Sequence, residues 1–128
     1  MPREGKINIL IVDDNEDMLA LYAAMFKDDE RYAVDMMTDA MQALRKLGEK
    51  DYDLIILDII MEPLTGESFF VYLRSDERTM HIPVIAVTVL EPDMLDTFKK
   101  VDNSQILQKP IRKKDLMSSI ERCLGSNS

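Results

Sequence analysis

Two hydrophobic rhythms alternate along the chain. Short apolar runs occupy Ile7–Val12, Leu54–Leu57 and Ile82–Val87, with two weaker ones at Tyr32–Met37 and Gln105–Gln108. Runs of this length, rich in isoleucine and valine, suit strands covered on both faces, as in a parallel sheet. Between them the spacing becomes helical. Met18, Leu21, Tyr22, Met25 and Phe26 recur at i, i+3, i+4, i+7 and i+8. Ala40, Ala43, Leu44 and Leu47 repeat that spacing, and Gly48 is placed to end the helix. Phe69 and Leu73 anchor a third helix, Leu95 and Phe98 a fourth that Pro92 is suited to open, and Leu116, Ile120, Cys123 and Leu124 a fifth. Strand and helix thus alternate five times, which predicts an α/β fold: a five-stranded parallel sheet flanked by five helices through right-handed crossovers.

With 128 residues there is room for one domain, with no internal repeat or linker. Residues 1–5 and 125–128 read as loose ends around a core of about 6–124. Hydrophobic residues make up 46%, enough for a packed core. The ten methionines fall mostly at apolar positions and read as core filler. The net charge of −8 argues against direct nucleic-acid binding, which needs a basic footprint. No apolar run approaches a membrane span and no signal-peptide core opens the chain, so the expected setting is cytoplasmic, without membrane contact. The single cysteine, Cys123, fits a reducing compartment.

In an open parallel sheet, ligands bind beyond the carboxyl ends of the strands. The residues that end each apolar run are therefore informative. The first strand ends in Asp13–Asp14, the third in Asp58, the fourth in Thr88 and the fifth in Lys109–Pro110. On adjacent parallel strands these groups meet at one edge. Three carboxylates there repel one another unless a cation sits between them. All-oxygen ligands favour a hard ion such as Mg²⁺, or Mn²⁺ in its place. With Lys109 and Thr88 added, the site suits a phosphoryl group attacked by a carboxylate, and Asp58 is the candidate nucleophile.

Each feature alone has a plainer explanation. Asp13–Asp14 suits a helix N-terminus, Thr88 a turn, and Lys109–Pro110 the approach to a helix. Only their joint order at strand ends selects a site. His81 reads as a surface residue and Cys123 as core-facing. Arg112, Lys113 and Lys114, like Lys99 and Lys100, read as solvated positions.

Taken together, Asp13–Asp14, Asp58, Thr88 and Lys109–Pro110 resemble the receiver domain of two-component response regulators. The stretch "DIIMEPLTG", Asp58 to Gly66, resembles the loop after that family's phosphorylated aspartate. The resemblance runs from Ile7 to about Leu124. It implies the flavodoxin-like strand order 2-1-3-4-5, an order the doubly wound folds share. It implies a single receiver domain over 1–128, taking phosphate on Asp58 from a histidine kinase or phosphotransfer protein. Asp13, Asp14, Asp58 and the Ile60 backbone carbonyl would hold Mg²⁺, and the Lys109–Pro110 peptide would be cis. Output would pass to a downstream effector protein or domain, with homodimerisation among the family's options. The only chemistry implied is self-catalysed transfer to Asp58 and slow autodephosphorylation, not turnover as an enzyme.

The chain departs from the family pattern at several points. Val89 replaces a small residue after the threonine, and Ile106 replaces an aromatic switch residue. The loop proline is Pro63, with Glu62 where the family places it. By the resemblance, Ile60 and Leu90 flank the water that hydrolyses the acyl phosphate, and neither orients a water by hydrogen bonding. Other readings stay open. In a pseudo-receiver the site binds without being phosphorylated. An aspartyl-phosphate hydrolase would need a second aspartate where Asn15 stands, and a cap insertion. A flavin module would need a phosphate loop after the first strand.

Overall fold

The structure is a computed structural model, and it describes residues 6–58, 66–88 and 104–124. Five strands form one parallel sheet: β1 (Ile7–Val12), β2 (Tyr32–Met37), β3 (Leu54–Asp58), β4 (Val84–Thr88) and β5 (Ser104–Gln108). Their order is β2-β1-β3-β4-β5, as expected, so β3 is central. Four helices are described: α1 (Glu16–Phe26), α2 (Ala40–Leu47), α3 (Gly66–Ser75) and α4 (Lys113–Leu124). The helix expected around Leu95 and Phe98, its opening Pro92, and both chain ends lie outside the described residues.

Alternation along the strands sorts the interior into two layers. Leu10, Val12, Ile55, Leu57, Val84 and Ala86 pack with residues of α2 and α3. Ile9, Ile11, Leu54, Ile56, Ile85 and Val87 pack on the other face with α1 and α4. Every residue of β3 and β4 is buried, as two-sided coverage of a parallel sheet requires. Cys123 and Leu124 pack against the second layer, which bears out the stripe expected on the last helix.

Several local expectations need adjustment. β4 begins at Val84 rather than Ile82, because Pro83 has no N–H to give a ladder. The Pro83 carbonyl instead accepts from Ile55 N–H at 3.1 Å, and Ile82 N–H turns back to the Thr79 carbonyl at 3.0 Å. On α1, Tyr22, Met25 and Phe26 are buried but Leu21 is 41% exposed. Leu21 lies over a quarter-turn round the helix from Tyr22, at the margin of the buried stripe. The methionines are not uniformly core filler either. Met25 is buried, whereas Met41, on the outer side of α2, and Met80, in the turn after α3, are about half exposed.

Gly48 does end α2, but without left-handed geometry: φ is −76° and its N–H returns to the Arg45 and Lys46 carbonyls. Among the described residues, the one with positive φ is Asp28 (66°), in the turn after α1, where aspartate is among the more tolerant side chains. At the far edge of the sheet, Asp35 of β2 accepts from the Tyr52 hydroxyl at 2.6 Å and from Lys50 Nζ at 2.9 Å. Burial is the largest influence on the Asp35 carboxyl and opposes its ionisation. The Tyr52 and Lys50 hydrogen bonds together outweigh it, and the group titrates below its ordinary value.

These local geometries set two measurable outcomes. A Cβ at Gly48 meets only the Arg45 carbonyl, at 3.4 Å. Gly48→Ala is therefore expected to stabilise by about 0.4–1 kcal/mol through the unfolded chain, read by urea denaturation. Asp35→Asn is expected to cost about 1–2 kcal/mol at neutral pH. Because the folded-state pKa of Asp35 is depressed, its contribution is present above the unfolded value near 3.8 and fades as pH falls through the folded one. The stability difference between wild type and Asp35→Asn should thus close as denaturation is repeated below about pH 4.

Candidate functional site

The carboxyl ends of β1, β3, β4 and β5 lie side by side, and parallel register brings their terminal residues together. Val12 stands opposite Leu57, so the next residues along, Asp13 and Asp58, are neighbours. Asp58 stands opposite Val87, and Thr88 opposite Gln108, one residue before Lys109. The ladder continues past both outer strands. Asp13 N–H donates to the Met37 carbonyl at 3.1 Å, and Lys109 N–H to the Thr88 carbonyl at 2.6 Å. The Lys109–Pro110 peptide is cis, as the resemblance implies.

Asp13 and Asp58 are buried, 1% and 5% exposed, while Asp14 faces solvent. One carboxylate oxygen from each of the three lies within 4.8 Å of the others. The Lys109 ammonium reaches in from β5, 3.5 Å from Asp13 Oδ2 and 3.7 Å from Asp58 Oδ2. Both distances exceed a good hydrogen bond, so Lys109 balances the two acids chiefly as a charge. The two oxygens of Asp13 are not equivalent. Oδ1 accepts from Asn15 N–H at 2.9 Å, whereas Oδ2 is buried with no hydrogen-bond donor among the described residues.

A buried carboxylate oxygen left without a donor is costly unless a cation meets it. Three carboxylates also outnumber the one ammonium beside them among the described residues. Three carboxylate oxygens within 4.8 Å of one another, all hard donors, fit a small hydrated divalent ion. Exposed Asp14 gives the cluster a solvent-facing side.

Alternation separates the remaining site residues. Asp13, Asp58 and Lys109 continue the face of Ile11, Ile56 and Leu107, above α1 and α4. Thr88 is fully buried at the same end of the sheet, but continues the other face, that of Ala86 and Ile106. The charges and Thr88 thus share one end of the sheet. Ile106 is partly buried against the first layer. Ile60, Val89, Leu90, Glu62 and Pro63 lie outside the described residues; Pro110 is exposed beside Lys109.

Tyr22 belongs to the setting of the site although its spacing shows only a core position. It is 1% exposed on α1. Burial first, and then the charges of Asp13 and Asp58, hold its phenol protonated far above the usual tyrosine range. The buried phenol near the two acids is thus neutral. Asn15 is likewise more than the residue that stands where a second hydrolase aspartate would be. Its side chain caps α1, accepting from Asp17 N–H at 2.8 Å and Met18 N–H at 3.1 Å.

Comparison with known proteins agrees with this geometry. The family described as the response regulator receiver domain matches residues 9–121. A transcription factor of Candida albicans, SKN7, is 31% identical over 121 residues, covering 93% of this chain and 21% of that protein. The regulatory protein VanRB of Enterococcus faecalis is 29% identical over 120 residues, covering 92% of this chain and 52% of that protein. The chain thus spans about a fifth of the first relative and half of the second. Among solved structures, the receiver domain of a Pseudomonas aeruginosa sensor histidine kinase superposes with a TM-score of 0.83 at 29% identity, covering 95% of this chain and all of that one. That structure carries a magnesium ion coordinated in its active site cleft. A Vibrio cholerae chemotaxis protein gives a TM-score of 0.84 at 26% identity, covering 94% of this chain and all of that one. With the sheet order, the acidic strand ends and the family match in agreement, the chain belongs to the response regulator receiver domains of two-component signalling.

Proposed function

We propose that this domain is a phosphorylation switch in which Asp58 is the phosphoacceptor and Asp13, Asp14 and Asp58 hold Mg²⁺. The carrying observation is the position of Asp58. It ends the central strand, buried, clustered with two further carboxylates and with the Lys109 ammonium 3.7 Å away. A phosphohistidine of a kinase or phosphotransfer protein is the donor. An Asp58 oxygen attacks phosphorus, the donor's P–N bond breaks, and the released imidazole takes a proton from solvent. The product is an acyl phosphate on Asp58. Mg²⁺ supplies neutralisation of phosphoryl charge when bound. Lys109 supplies a second fixed cation that need not reorganise during transfer. Asp13, tied to Asn15, holds its other oxygen toward the cluster.

Thr88, buried at the same end of the sheet, senses the new phosphoryl oxygens and passes the change toward Ile106. An isoleucine there has no ring to rotate and no hydroxyl to bond, so backbone and loop shifts carry the signal onward. The output is a partner protein or a further domain. Transfer to Asp58 and its reversal by water are the only chemistry proposed.

Intact mass after incubation with acetyl phosphate and Mg²⁺ should show one added phosphate, labile to hydroxylamine and absent from Asp58→Asn. Undiminished labelling of that variant would refute the assignment. A pseudo-receiver would show no labelling at all.

The double variant Asp13→Asn, Asp14→Asn should lose Mg²⁺-dependent phosphorylation. It should also melt higher than wild type in chelator, since less negative charge then faces Lys109 alone. Metal affinity equal to wild type would count against the site.

The acyl phosphate should persist. Without a water-orienting group at Ile60 or Leu90, hydrolysis is expected to be roughly 10–100-fold slower than with one. Ile60→Asn with Leu90→Glu should hasten phosphate loss, and Val89→Ala should hasten both gain and loss, measured by quenched mass spectrometry over time.

A further inference from the structure

We propose that Asn15 is a positioning residue for the metal site, one that couples the start of α1 to the aim of the Asp13 carboxylate; the inference rests on the Mg²⁺ reading above. Asn15 does two things from one backbone conformation. Its side-chain Oδ1 accepts from Asp17 and Met18 N–H at 2.8 and 3.1 Å, which closes the first turn of α1. Its own N–H points the other way and donates to Asp13 Oδ1 at 2.9 Å. The residue is extended, at φ −95° and ψ 114°, and its carbonyl accepts the Leu19 N–H at 3.1 Å. The cap therefore fixes the peptide plane whose N–H holds Asp13.

That bond makes the two Asp13 oxygens unequal. Oδ1 is occupied. Oδ2 is buried, has no hydrogen-bond donor among the described residues, and lies 3.5 Å from Lys109 Nζ. A carboxylate anchored by one oxygen presents the other to an ion along a defined direction, as groups behind metal ligands do elsewhere. A loosened cap lets the Asn15 peptide rotate and frees Asp13 to turn about its side-chain bond. Linkage makes the coupling mutual: an ion that fixes Asp13 also fixes the first turn of α1.

A helix cap with no further role makes a different forecast, and α2 provides the control. Asp39 caps α2 by accepting from Met41 N–H at 2.7 Å, and Asp39 is not among the acids of the cluster. Mg²⁺ titration by calorimetry would compare wild type, Asn15→Ala, Asn15→Ser and Asp39→Ala, with melting temperatures alongside. Asn15→Ala and Asp39→Ala should lose similar stability. Only Asn15→Ala should weaken Mg²⁺ binding, by roughly 10-fold, and Asn15→Ser, which caps equally well, should return to within about two-fold of wild type. Unchanged affinity in Asn15→Ala, or equal weakening in Asp39→Ala, overturns the proposal. Absence of Mg²⁺ binding by the wild type overturns the metal reading itself, and the proposal with it. Should Asn15→Ala fail to fold, wild-type amide exchange decides. Mg²⁺ should slow exchange at Asp17 and Met18 but not at Met41, and an equal response at all three refutes the coupling.

Discussion

The repulsion among Asp13, Asp14 and Asp58 is the constraint around which this molecule is arranged. Two of the three acids are buried, and the only cation within reach among the described residues is Lys109, too far from either for a short hydrogen bond. Such an arrangement is unfavourable for folding on its own terms. It is tolerated because β3 and β4 are apolar up to their last residues and buried throughout. A rigid sheet keeps the charges where flexible loops would let them separate. The fold contributes stability from its interior and concentrates electrostatic strain at one end, where a divalent ion or a phosphoryl group changes the balance most.

Parallel topology makes this possible. Because every strand runs the same way, each delivers its last residue to the same edge, and residues far apart in sequence become neighbours without a dedicated loop. The two faces then divide the work. Asp13, Asp58 and Lys109 continue the α1 and α4 side, and Thr88 the α2 and α3 side, toward Ile106.

Most of this was legible in the chain because the sheet is buried on both sides, which writes strands as unbroken apolar runs. The acids, Thr88 and Lys109 stood out because they interrupt or end those runs. What pattern could not supply was helix phase: the stripe that included Leu21 was right in period and slightly wrong in rotation, since i+3 and i+4 positions bracket a face without centring it. Pro83 blurred the start of β4 by looking apolar while lacking a donor. Asn15 was visible only as the absence of an aspartate, because a backbone N–H contact leaves no trace in composition. Tyr22 was hidden for a related reason: a tyrosine in a core stripe reads as bulk until two strand-end acids are placed above it.

The Asp35, Tyr52 and Lys50 arrangement has a consequence beyond its own hydrogen bonds. Among the described residues β2 lies at the margin of the sheet, with no strand on its far side, and its sequence "YAVDMM" is otherwise apolar. A margin of that kind is a template on which unfolded or neighbouring chains add strands and begin to aggregate. Asp35 sits in the middle of it, held ionised by the two donors. An approaching apolar segment must strip water from that charge or lie against the Lys50 side chain. Asp35 thus gives this otherwise apolar margin a charge, at the opposite side of the sheet from Lys109.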